Sequence, residues 1–221
     1  MSTANFNRVA RVYRWAEYLA FGHALERCRS RYLPEVGHCR SALVLGDGDG
    51  RFLSRLLQQN TAMTANVVDS SASMLALLQR RVDRGNGQHR VALHHADARN
   101  FLPPVGDCDL IVTHFFLDCF TNAELETLVP RIASKVRPGA LWLVSEFNIP
   151  ANSPMRLPAR IIIRLLYLAF RLLTGLRPTH LPDQSATLIS AGLRRIRQHP
   201  SLGGLLVSEL WQVGTLPAQH P

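Results

Sequence analysis

Lysine is almost missing from this chain: Lys135 is the only one, and every other basic side chain is arginine. That imbalance supports no functional reading. The four cysteines (Cys28, Cys39, Cys108 and Cys119) include no Cys-x-x-Cys pair. Nothing in their spacing supports a disulfide framework or a zinc site. Cys108 and Cys119 lie in or beside apolar, strand-like sequence, as buried thiols do. The N-terminus, Met1-Ser2-Thr3-Ala4-Asn5, lacks the apolar core of a signal peptide, so a cytoplasmic location is expected. Arginines interrupt every long apolar run, which excludes a transmembrane helix. No internal repeat, low-complexity segment or nucleophilic triad is visible.

What is present fits one α/β domain with an appendage. The length is 221 residues and 47% of them are hydrophobic, enough for a core. The net charge of +9 is uneven. Residues 1–40 hold seven arginines against three glutamates, and residues 151–221 hold eight against Asp183 and Glu209. Residues 41–150 are nearly neutral. Basic flanks suit an anionic membrane surface, nucleic acid or an acidic substrate, or they serve solubility alone.

The most informative stretch is Ala42-Leu43-Val44-Leu45-Gly46-Asp47-Gly48-Asp49-Gly50-Arg51-Phe52-Leu53. An apolar strand ends in three alternate glycines, and a helical pattern follows. Glycine lets the backbone approach a ligand and adopt positive φ. The helix start offers free N–H groups and a positive dipole end. A dinucleotide fingerprint needs Gly-x-Gly-x-x-Gly. Here the third glycine comes one residue early, with Arg51 in its place, so NAD is not the expected cofactor.

A second strand, Asn66-Val67-Val68-Asp69, ends in an acid 19 residues after Gly50. A carboxylate there can accept both ribose hydroxyls of a nucleoside, or it can cap the next helix. Ser70-Ser71-Ala72-Ser73-Met74 opens that helix, with serines available as N-caps. A third strand, Arg90 to His94, leads to Asp97-Ala98. Asp107 to Phe116 and Arg137 to Glu146 supply a fourth and a fifth strand. Residues 121–136 form the helix between them, with Thr121 and Glu124 at capping-box spacing. Residues 193–199 and 204–213 read as the last two strands, connected or bulged at Gly203-Gly204. Strands and helices alternate from 42 to 147, which predicts a parallel sheet there, completed by the final hairpin into a doubly wound, seven-stranded, Rossmann-like fold.

Together, Gly-x-Gly-x-Gly, Asp-x-Ser-x-x-Met and the Asp97-Ala98 pair resemble the motifs of class I S-adenosylmethionine (SAM) methyltransferases. The resemblance covers residues 5–147 well and the rest loosely. It implies SAM as cofactor, with Gly46, Asp47, Gly48 and Gly50 under its methionine end. It implies Asp69, Ser70 and Met74 near the ribose, and Asp97 and Ala98 at the adenine. A surface turn is the alternative role for Asp97. One departure is that Val44 stands where the family carries an acid two residues before the first glycine. Asp47 or Asp49 is then the replacement to look for. Phe6-Asn7-Arg8-Val9-Ala10-Arg11-Val12-Tyr13 looks like the opening of ubiquinone/menaquinone-type C-methyltransferases. That implies a helical cap over residues 1–40, with Tyr13 near the cofactor or packed in the core.

Residues 41–221 would then be the methyltransferase domain, carrying an insertion at 150–181. Within it, 159–174 reads as a helix, with Pro158 suited to its start and Gly175 to its stop. Arg156, Arg160, Arg164, Tyr167, Arg171 and Thr174 fall on one side and Ile, Leu and Phe on the other. It is expected as a substrate lid, as a basic helix making peripheral membrane contact, or as a surface helix packed on the core.

Methyl transfer needs alignment, water exclusion and, for some acceptors, a base. His114, Asp118 and Glu146 fall at the carboxyl ends of strands four and five, where this architecture places ligands. Each is a candidate base; His114 is also a candidate cofactor contact. Each has a structural alternative: a backbone hydrogen bond for His114, a helix cap for Asp118, an arginine partner for Glu146. The leading expectation is methyl transfer to a small, rather apolar acceptor such as a quinone, phenol or lipid-like molecule. The alternatives are a nucleic-acid methyltransferase and a non-catalytic SAM-binding protein. Against nucleic acid, the Asn/Asp-Pro-Pro-Tyr/Phe signature of base-amino methyltransferases is absent after strand four, which reads Thr113-His114-Phe115-Phe116.

Overall fold

The computed structural model describes residue 21 and residues 23–214, except 86, 105, 152, 175–177 and 179. Tyr13, the start of the N-terminal cap and Gly175 therefore lie outside the described residues. Seven strands form one sheet: β1 (Ser41–Leu45), β2 (Thr64–Asp69), β3 (Val91–His95), β4 (Leu110–His114), β5 (Leu141–Phe147), β6 (Leu193–Ser201) and β7 (Leu206–Val213). Their order is β3-β2-β1-β4-β5-β7-β6. β1 to β5 are parallel, and β7 pairs antiparallel with both β5 and β6. The sheet is the one expected: β6 runs in the direction of β1 to β5, and β7 alone opposes them. A hairpin through Leu202–Gly204 explains this: no crossover helix separates β6 from β7.

The strands are near-continuous apolar runs because helices cover both faces. On one face, α2 (Arg51–Gln59) and α3 (Ala72–Arg84) bury Phe52, Leu53, Leu56, Leu75, Leu78 and Val82 against Val44, Val67, Val112 and Leu143. On the other, α4 (Asn122–Ala133) and α6 (Gln184–Ser190) bury Leu125, Leu128, Val129 and Leu188 against Leu43, Ile111, Trp142 and Trp211. The capping box of α4 forms as its spacing predicts: the Thr121 hydroxyl accepts from the Glu124 N–H, and the Glu124 carboxylate accepts from the Thr121 N–H. α1 (Ala24–Ser30) packs Ala24, Leu25 and Cys28 beside Leu206.

The insertion helix α5 spans Arg156–Thr174, with Pro158 inside its first turn, where its missing N–H costs no hydrogen bond. Its faces differ from expectation. Tyr167, placed by the helical wheel among the arginines, is buried with Ala159 and Ile163 on the side that packs against Leu205. The aliphatic side chains Leu157, Ile161, Leu165, Leu168 and Leu172 face solvent instead. A small residue at 159 and one tyrosine hydroxyl with a carbonyl to donate to make this the better-fitting contact: the Tyr167 hydroxyl donates to the Asp118 carbonyl at 2.8 Å. Among the described residues, no helix is long and apolar enough to cross a membrane.

Candidate active site

The strand order reverses between β1 and β4, and the loops leaving their carboxyl ends diverge there. A doubly wound sheet opens its ligand crevice at this point.

The loop after β1 is built of positive-φ glycines: Gly46 (φ 67°), Gly48 (φ 61°) and Gly50 (φ 78°). They differ in surroundings. A Cβ on Gly46 would meet the Phe116 ring at 2.5 Å, and one on Gly50 would meet Leu78 at 2.6 Å. Gly48 has nothing within 4 Å of that position, so the crest of the loop is open to a ligand. Asp47 is buried, and its carboxylate accepts the Leu53 N–H at 3.1 Å. Burial pushes its pKa up to about 7 despite that bond. Asp49 does something else. It is tied to Arg51 at 3.1 Å and Arg81 at 3.0 Å, and Arg81 also donates to its carbonyl. Asp49 latches the loop onto α3, which leaves Asp47 as the free carboxyl beside the missing acid. Val44 itself is fully buried between β strands and α2.

Asp69 ends β2. One of its oxygens accepts the Ser71 N–H at 2.8 Å, and burial raises its pKa to about 6. Ser71, not Ser70, caps α3 by accepting the Met74 N–H. Ser70 is exposed, its carbonyl held by His95 at 3.1 Å, and Met74 is buried. Asp97 is chelated by its near neighbour. Arg99 reaches both oxygens at 2.7–3.1 Å and extends to Glu124 at 3.1 Å. Partial burial works against ionisation there, but the Arg99 bonds prevail and hold Asp97 below the usual carboxylate range. Ala98 is buried behind it.

The β4 and β5 ends carry less self-contained groups. His114 is buried edge-on to Phe52, with ring centroids 4.5 Å apart, and neither ring nitrogen has a hydrogen-bond partner. Burial, helped by the positive charge of Arg29, holds its pKa well below 6.5 and keeps it neutral. Phe115 follows at φ 53°, a conformation that non-glycine residues seldom adopt. Glu146 locks this turn: one oxygen accepts the Phe116 N–H at 3.1 Å and the Leu117 N–H at 2.8 Å. Its other oxygen is buried without a partner. Burial, then the charge of Asp118, pushes Glu146 well above the usual range. Asp118 is half-buried, with its pKa raised by burial to about 6.

The structure thus gathers Asp47, Asp69, His114, Asp118 and Glu146 at one end of the sheet. Asp97 lies on the β3 side and is committed to Arg99. Sequence reasoning missed Arg29, which reaches over the Phe115 ring at 5.1 Å and bears electrostatically on Asp47 and His114. It was visible only as one of many arginines. Phe115 and Phe116 read in the sequence as rings that flank the adenine or the acceptor or fill the core; the structure sets Phe116 over Gly46.

Residues 42–139 match the family model described as a methyltransferase domain. The matched stretch, which runs from β1 through α4, resembles a methyltransferase domain. No curated protein matches the sequence. Solved methyltransferases share the fold of this domain. Mitomycin 7-O-methyltransferase superposes with a TM-score of 0.70 at 16% identity, over 95% of this chain and 61% of that one. An O-methyltransferase family 2 protein from Planctomyces limnophilus, solved with apigenin, gives 0.68 at 18% identity, over 92% and 61%. The N-methyltransferase NodS from Bradyrhizobium japonicum gives 0.59 at 13% identity, over 86% and 97%. The chain spans about three fifths of the length of the first two. The cofactor of this domain class is SAM. The residues present fit it: a Gly48 crest with open space beside it, a carboxylate at the end of β2, and flanking glycines, Gly46 and Gly50, that let the loop pack tightly on Phe116 and Leu78.

Proposed function

We propose that the protein transfers the methyl group of SAM to a hydroxyl of a small, rather apolar acceptor of phenol or quinol type. The observation that carries this reading is the half-buried Asp118 beside the buried Glu146, at the carboxyl ends of β4 and β5 and beneath Tyr167 of α5. A general base works best with a pKa near the operating pH, and Asp118 at about 6 meets that condition. Glu146, engaged by two backbone N–H groups, is a positioning residue for the turn that presents Asp118.

When bound, SAM supplies a sulfonium-activated methyl group. The chain's residues hold and align. The Gly46–Gly50 loop and Asp47 face the methionine end, with Arg29 near enough to meet its carboxylate. The free oxygen of Asp69 accepts from the ribose hydroxyls, and the Asp97–Ala98 turn borders the adenine. Tyr13 from the N-terminal cap belongs to this proposed set on resemblance alone. Asp118 takes the acceptor's hydroxyl proton as its oxygen attacks. Neutral His114, with two unpartnered nitrogens, offers a hydrogen bond to the bound pair. α5 roofs the acceptor side and excludes water. The neighbours solved as O-methyltransferases, one in complex with apigenin, support a hydroxyl acceptor.

The test is a screen with methyl-labelled SAM against phenols, quinols, amines and RNA. Label transfer to phenols or quinols is expected. Transfer to RNA alone, or SAM binding with no transfer to any class, overturns the reading.

A further inference from the structure

Nine large hydrophobic side chains are exposed among the described residues, and five of them stand on α5: Leu157, Ile161, Leu165, Leu168 and Leu172. Their exposure runs from 52% at Ile161 to 78% at Leu172. The spacing of four, four, three and four residues puts them within an arc of about 80°, a stripe about 22 Å long. Scattered exposed leucines need no explanation, but a continuous stripe does. The opposite side of the helix is already used: Ala159, Ile163 and Tyr167 are buried against the domain. The stripe is therefore surplus to folding.

Its borders indicate what it meets. Arg160, Arg164 and Arg171 run along one edge of the stripe, with Arg156 beyond them, and all four are exposed. No acidic residue occurs between Glu146 and Asp183. An aliphatic stripe edged by guanidinium groups matches an interface that is apolar below and anionic above. Guanidinium forks pair with phosphate in two-point fashion. A second copy of this chain matches less well, because an antiparallel two-fold pairing along the stripe sets two rows of arginines side by side.

We propose that α5 lies in the plane of an anionic phospholipid surface, with its aliphatic stripe inserted and its arginines on the lipid phosphates. The inference rests on the exposed face of α5 and not on the methyl-transfer reading. It gives the acceptor site a location, since the buried face of the same helix holds Asp118 through Tyr167. An apolar acceptor dissolved in the bilayer would meet the site at its roof.

The test is co-sedimentation of the full chain with phosphatidylcholine vesicles, with and without phosphatidylglycerol, at about 0.1 M and about 1 M salt. Wild type is expected to bind the phosphatidylglycerol vesicles at least tenfold better and to be released by high salt. Arg160→Gln with Arg164→Gln should weaken binding about thirtyfold, roughly fivefold for each arginine near the surface. Ile161→Gln, Leu165→Gln and Leu168→Gln together should weaken it at least tenfold. Both variants change only exposed side chains for a good helix former and should keep the wild-type thermal shift with S-adenosylhomocysteine. Wild type that stays in the supernatant with phosphatidylglycerol overturns the proposal, whatever the variants do. So does a triple variant that binds as wild type does. Self-association that the triple variant abolishes, without vesicle binding, assigns the stripe to a second copy and also overturns it.

Discussion

The two halves of the sheet treat their polar groups differently. On the β1–β3 side the charges are largely answered within the protein. Asp49 is held by Arg51 and Arg81, Asp97 by Arg99, and the α3 N-terminus by Ser71. At the β4–β5 ends, both His114 nitrogens and one Glu146 oxygen are buried without partners, and Phe115 is held at positive φ. Buried polar groups are normally paired, because an unmet one costs about 1–3 kcal/mol. Under the proposed function, the β1–β3 side is the donor half, preformed by these bonds, and the β4–β5 ends are the acceptor half, whose unpartnered groups are left for a ligand to meet. Asp47 and Asp69 are the exceptions on the donor side. Their pKa values, raised by burial to about 7 and about 6, mark where that half too waits for a partner.

The comparison breaks most sharply at Asp118. Asp118→Asn should cut turnover by about 10²–10⁴-fold while leaving SAM affinity unchanged. In wild type, kcat/KM should rise with pH through a limb near 6, as the Asp118 carboxyl ionises and becomes a base. The variant should lose that limb. Steady-state kinetics across pH, beside SAM titration, decides. A variant that keeps both rate and limb places the base elsewhere.

Gly46 and Gly48 sharpen the donor side. Gly46→Ala combines a positive φ with a Cβ driven into Phe116, and should destabilise the fold by about 2–5 kcal/mol. Gly48→Ala carries only the backbone strain, about 1–2 kcal/mol, because its Cβ enters open space. The second variant should still melt cooperatively but lose SAM affinity, since that methyl group occupies the ligand's side of the loop. Equal melting temperatures for the two variants would refute the difference between them.

Asp69→Ala should weaken SAM binding by about 1–3 kcal/mol, the range for a lost charge-assisted hydrogen bond. Unchanged affinity in a folded variant would reduce Asp69 to the turn contact it makes with the Ser71 N–H.

The smallest effect concerns Asp47 and takes opposite signs with and without ligand. Its folded-state pKa, about 7, lies above the ordinary 3.8. The folded protein therefore holds that proton more tightly than the unfolded chain does. Its contribution to stability is complete below about pH 4 and is lost as pH rises to about 7. Asp47→Asn, which can still accept the Leu53 N–H, should stabilise the ligand-free protein at pH 8 by about 1–2 kcal/mol. The same variant should bind SAM more weakly. Denaturant melts at pH 5 and pH 8 check the sign: a stabilisation equal at both would remove burial of the charge as its cause.

Much of this was legible in the residues. The three alternate glycines, the acid closing β2 and the Thr121–Glu124 capping box are local signals, and the structure gives each its expected backbone setting. The parallel strands of 42–147 followed from alternating strand and helix patterns. What escaped were facts of three-dimensional approach. Arg29 comes to the site from α1, where nothing in the sequence sets it apart from Arg27 and Arg31. Asp49 and Asp47 look alike in the loop, yet one is spent on Arg81, 32 residues away, and the other is buried. The wheel of α5 separates arginines from aliphatics, but no periodicity states which of two apolar faces the domain uses. Ala159 and Tyr167 decide that through fit, and the better-looking aliphatic face is left in solvent.

The central claim is a preformed donor half with its chemistry on the other side of the sheet, and calorimetric titration with S-adenosylhomocysteine tests it most directly. Wild type and Asp118→Asn should bind it with equal affinity and one-to-one stoichiometry. Asp69→Ala should bind it more weakly, and NAD should give no heat with any of them. Heat with NAD, or no heat with S-adenosylhomocysteine in the folded wild type, would contradict it.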